Sequence, residues 1–101
     1  MYVMVTQTCP SDKINISGER ARELEKTPLP SYVERLYVFI RRDIKYGYIS
    51  WVTYKIEKGK EEEGLQAISQ RIGGSDNIEG FRCDMQVVYS VPEMLAAQSN
   101  S

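Results

Sequence analysis

Leu36-Tyr37-Val38-Phe39-Ile40-Arg41-Arg42-Asp43-Ile44-Lys45-Tyr46-Gly47-Tyr48-Ile49-Ser50-Trp51-Val52-Thr53-Tyr54-Lys55-Ile56 is the stretch that decides the fold. Its two ends are rich in aromatic and β-branched residues, which suit a pleated surface. Between them, Arg42 to Gly47 is mostly polar and ends on a glycine suited to positive φ. Two β-rich runs joined by a short turn predict an antiparallel hairpin, Val33–Arg41 with Tyr48–Ile56. Alternation sorts the side chains: Leu36, Val38 and Ile40 point one way, Tyr37 and Phe39 the other. In the second run Ser50, Val52, Tyr54 and Ile56 oppose Ile49, Trp51 and Thr53. Both faces of the hairpin are therefore apolar.

Working outward, Tyr2 to Thr8 predicts a first strand, which Pro10 ends. Ser11 or Asp12 then offers a cap for a helix. That helix carries Ile14, Ser17 or Gly18, Ala21 and Leu24 on one face, and Pro28 and Pro30 stop it. Gly18 weakens it by about 1 kcal/mol relative to alanine, so an irregular first half is expected. Lys60 to Ile72 predicts a second helix with Leu65, Ile68 and Ile72 on one face and Gly73-Gly74 as its stop. Glu61, Glu62 and Glu63 fall in its first turn, where the macrodipole favours negative charge; they read as a helix start, not a metal site. Phe81 to Tyr89 is a last strand, and Pro92 to Gln98 a short terminal helix. The element order is βαββαβ. With right-handed crossovers it gives a ferredoxin-like α+β fold: a four-stranded antiparallel sheet, order 4-1-3-2, with two helices on one face. A single domain over residues 1–101 is expected, with 92–101 a short C-terminal tail.

Two amphipathic helices cover only one face of such a sheet. The other exposes large side chains, each worth roughly 1.5–3 kcal/mol when buried. An apolar patch of that extent marks an interface, and a two-fold homodimer formed through the sheet is the expectation.

With the strand at Tyr2, the Cys9-Pro10 break before a helix, the Leu36 to Ile56 hairpin and Ile78-Glu79-Gly80-Phe81 leading into the last strand, the chain resembles the dimeric α+β barrel group of ferredoxin-like domains. The resemblance lies in layout and covers roughly Tyr2 to Val88. It implies a dimer and a small hydrophobic or aromatic ligand held between sheet and helices. Some members of that group are enzymes and others are not; the members that rely on histidine are not matched.

Composition narrows the chemistry. The 101 residues include no histidine, which removes Ser-His-Asp and Cys-His catalysis, histidine-ligated haem and the commonest zinc sites. No cofactor and no metal site is expected. A net charge of −1 gives no electrostatic reason for nucleic acid or an anionic membrane as partner. The N-terminus has no basic region ahead of an apolar core, so a cytoplasmic location with Cys9 and Cys83 as reduced thiols is expected. The strand order should bring those two thiols close together, as buried free thiols more than as a redox pair.

Tyr37, Trp51 and Tyr54 are the first choices for lining a ligand pocket, with Arg41 available to orient an anionic group. Ordinary packing is the blander account of the aromatics, and a solvated turn that of Arg41, Arg42 and Lys45. Trp51 and Tyr54 must face opposite ways. An RNA-binding reading of the aromatics fails because the two aromatic runs are hairpin neighbours, and the charge is wrong for it. Gly73-Gly74-Ser75 follows a helix, so its amides point away from use as a phosphate loop. The expected function is a small homodimeric protein that binds a hydrophobic or aromatic molecule. A cofactor-independent monooxygenase- or isomerase-like enzyme and a pure assembly module are the alternatives.

Overall fold

The computed structural model describes residues 1–75 and 77–99, apart from the side chain of Ser99. Asn100 and Ser101 of the expected tail lie outside the described residues. The elements run β1 (Tyr2–Cys9), α1 (Ile14–Glu25), β2 (Val33–Asp43), β3 (Gly47–Ile56), α2 (Glu61–Gly73), β4 (Arg82–Val88) and α3 (Val91–Ser99). The strands form one antiparallel sheet ordered β2-β3-β1-β4, the same order as 4-1-3-2 read from the other edge.

Register fixes the faces, because directly opposed residues share one. Val3 faces Tyr54 and Val87, Val5 faces Val52 and Met85, and Gln7 faces Ser50 and Cys83. This is the helix side. Val3, Val5, Val33, Tyr54 and Ile56 pack there with Ile68 of α2. Their burial follows from a close approach. Gly64 of α2 sits over Ile56, so near that a Cβ there would stand 2.5 Å from Ile56 Cγ2.

The hairpin turn forms as its sequence predicts. Asp43 Oδ2 accepts the Lys45 and Tyr46 amides at 3.0 and 2.9 Å, and Gly47 takes φ 94°. A Cβ at Gly47 would also meet Cys9 O at 2.5 Å, so space and φ both demand glycine.

Three local departures from expectation have physical causes. Neither Ser11 nor Asp12 caps α1; Ser11–Lys13 instead form a 3₁₀ turn, with Lys13 N bonded to Pro10 O at 3.0 Å, and no side chain caps the helix. Gly18 nevertheless lies inside a continuous α1. In β2 the register slips between Arg35 and Tyr37, leaving Leu36 unpaired in a bulge rather than in line with Val38 and Ile40.

α1 contributes no buried residue, whereas α2 buries Gly64 and Ile68. The core thus sits beneath α2, and α1 stands off from the sheet. The radius of gyration, 15.1 Å, exceeds the about 13 Å of a compact domain of this size. No helix among the described residues is long and apolar enough to cross a membrane.

Candidate functional site

Beneath α1 lies a cleft of about 320 Å³. Its origin is legible in the helix. The sheet-facing side carries Ile14 and Leu24 at its ends but only Ser17, Gly18 and Ala21 between them. Small side chains in the middle leave the gap unfilled. The floor comprises three rows set by the register: Gln7, Ser50 and Ile40; then Val52 and Val38; then Tyr54 and Arg35. Val38 and Ile40 remain 53% and 61% exposed although they lie on the helix side.

The two ends differ in chemistry. At the start of α1 the lining is neutral and polar, with Ser50 Oγ 3.3 Å from Gln7 Oε1. At its far end Arg35, Glu25, Arg71 and Tyr54 converge. Arg35 Nη1 donates to Glu25 Oε1 at 2.5 Å, which holds the Glu25 carboxyl below its ordinary value; Arg71 adds to that effect. Arg71 reaches over from α2 and donates to the carbonyl of Thr27, just beyond α1.

Tyr54 is 7% exposed, and burial pushes its phenol above the ordinary value against the opposing fields of Arg71 and Arg35. Its hydroxyl has no hydrogen-bond partner among the described residues, yet it is not sealed from solvent. Buried tyrosines usually find a partner for that group. The cleft is where one can be supplied.

The bulge at Leu36 is what brings Arg35 here. Unbroken alternation places Arg35 with Tyr37, on the opposite face. The extra residue turns Arg35 to face Tyr54, while Tyr37 still faces Thr53.

The four residues singled out from sequence therefore divide. Tyr54 lines the cleft, while Trp51, paired with Phe39 and Thr6, lies with Tyr37 and Arg41 on the open face. There the Tyr37 and Phe39 rings stack with centroids 6.1 Å apart, 62% and 63% exposed. The Arg41 guanidinium lies 6.0 Å from the Trp51 ring centroid and pairs with Asp43 at 3.1 Å. Sequence reading missed Arg35, Arg71 and Glu25. The small-residue run Ser17-Gly18 with Ala21 was the available signal for the cavity; nothing local marked the arginines.

Neither cysteine forms a disulfide among the described residues, and the expectation of two buried thiols holds for Cys9 alone: Cys9 is buried, whereas Cys83, on a strand at the edge of the sheet, is exposed. Cys83 lies opposite Gln7, two residues short of Cys9 on β1, so the thiols are near but out of register for a bridge. Burial pushes the Cys9 thiol up, Asp12 adding to this and a hydrogen bond with Ser17 opposing it.

No protein-family model and no curated protein matches the chain. Solved structures do. The de novo designed protein Foldit4 superposes with a TM-score of 0.52 at 11% identity, over 87% of this chain and 96% of that one. A formyltetrahydrofolate deformylase from Pseudomonas putida KT2440 superposes with a TM-score of 0.50 at 12% identity, over 87% of this chain and 29% of that one. This chain thus spans less than a third of the deformylase. SnoaB, a cofactor-independent oxygenase from Streptomyces nogalater, superposes at 0.45 with 9% identity over 91% and 97%, too loosely to carry an argument. At such identities the likeness is one of fold alone, and that fold is ferredoxin-like α+β.

Proposed function

We propose that this chain binds a small hydrophobic or aromatic molecule in the cleft between α1 and the sheet, and works as a homodimer joined through the open face of the sheet. The observation that carries the ligand reading is the cleft itself: about 320 Å³ between apolar walls, with polar groups at both ends. Small-molecule sites begin at about 300 Å³ and have that mixed lining. Tyr37 and Phe39, stacked and exposed on the other face, support the dimer.

An enzymatic reading needs a group that moves a proton near neutrality. Of the titratable groups at the cleft, Glu25 is held down by Arg35, which makes it a weak base, and Tyr54 is pushed up by burial. Binding is the better account. The assembly reading has one observation in its favour: α3 is closed by a reciprocal Ser90–Glu93 capping box yet leaves Val91, Met94 and Leu95 exposed. Deleting residues 91–101 and weighing the protein in solution tests it; a halved mass supports assembly through α3, and an unchanged mass opposes it.

A neutral fluorescent dye, N-phenyl-1-naphthylamine, tests the ligand site. Enhanced emission is expected with the native chain and with Phe39→Glu, and should be lost when Ala21→Trp fills the cleft. Equal emission from all three proteins refutes the assignment.

A further inference from the structure

We infer that the cleft selects small apolar monocarboxylic acids, with the carboxylate held at the α2 end by Arg71 and Arg35. This rests on the reading of the cleft as a ligand site and names the ligand class. The charges carry it. The cleft is lined by two cations and one carboxylate, Arg35, Arg71 and Glu25. The ion pairs among the described residues are Lys26–Glu23, Arg35–Glu25 and Arg41–Asp43, and Arg71 joins none of them. Its guanidinium gives one donor to the Thr27 carbonyl, a neutral partner. A guanidinium has five donors, and a carboxylate is the acceptor that fits its fork.

The same count limits the ligand to one negative charge. Arg35 is already shared with Glu25, and a dianion would set its second charge against that carboxylate. Tyr54 lines the same end, and its hydroxyl can supply a further donor. Ahead of this head group, Val52 and Val38 provide an apolar trough. From Tyr54 to Ser50 is four residues of strand, about 13 Å at 3.3 Å per residue. That length accommodates a medium acyl chain or a fused aromatic body.

The test compares octanoate with 1-octanol, which share a chain and differ in charge. Calorimetric titration of the native protein should show octanoate binding tighter than octanol by about ten-fold, the factor that 1.4 kcal/mol represents. Arg71→Gln should remove that preference while leaving octanol within about two-fold, and Arg71→Lys should restore part of it. Glu25→Gln frees Arg35 and should tighten octanoate by about three-fold or more with octanol unchanged. This gain of function cannot arise from a damaged fold. Equal affinities in the native protein, or equal losses of both probes in Arg71→Gln, overturn the carboxylate selection and leave the cleft as a site for neutral ligands. Absence of binding by either probe overturns the cleft reading as well.

Discussion

Two glycine-to-alanine substitutions in two helices of one sheet face should change stability in opposite directions. Gly18 lies in α1, where an added Cβ would meet nothing within 4 Å. Alanine there gains helix propensity alone and should stabilise by about 0.5–1 kcal/mol. Gly64 lies in α2, and a Cβ there would stand 2.5, 2.8 and 2.8 Å from Ile56 Cγ2, Cδ1 and Cγ1. Ile56 is 1% exposed and is walled in by the core, so it has little room to yield. Overpacking of this kind costs about 1–3 kcal/mol, which outweighs the propensity gain and leaves a net loss of up to about 2 kcal/mol. The separation between the two variants is then about 1–3 kcal/mol, or at least about 4 °C in melting temperature for a chain of this length. Thermal and urea unfolding, followed by circular dichroism at one fixed protein concentration, measures it. Stabilisation by both substitutions to within about 0.3 kcal/mol would refute the close α2–β3 approach. The core beneath α2 would then need another explanation.

Phe39→Glu places a charge on the open sheet face; light scattering at micromolar concentration should show twice 11.6 kDa for the native chain and the single mass for the variant. A native monomer would contradict the dimer. Tyr54 has its phenol pushed up by burial, so its stabilising contribution is complete below the unfolded value near 10 and fades as pH rises through the higher folded value. Absorbance titration at 295 nm, native minus Tyr54→Phe, should place the ionisation that the substitution removes above the ordinary tyrosine value; a removed step at or below that value would contradict this. Cys83, exposed, should react promptly with Ellman's reagent and Cys9, buried and raised in pKa, only on unfolding. Rapid labelling of both thiols in the native state would show that Cys9 is not enclosed.

Element order, hairpin, glycine turn and the strand faces outside the bulge at Leu36 were legible in the sequence because each rests on local spacing: alternation for Val52 and Tyr54, a 3.6-residue period for Leu65, Ile68 and Ile72, and positive φ at Gly47. Opposite facing of Trp51 and Tyr54 followed from the same alternation. Tertiary structure alone decided the rest. How far α1 stands from the sheet depends on what fills the space between Ile14 and Leu24, a property of two surfaces and not of either one. The slip at Leu36 turns Arg35 toward Tyr54, and Arg71 arrives there from a helix 36 positions further along the chain. Charge gathered from separate elements leaves no periodic trace in any one of them, so the most telling part of the cleft is set only when the chain closes on itself.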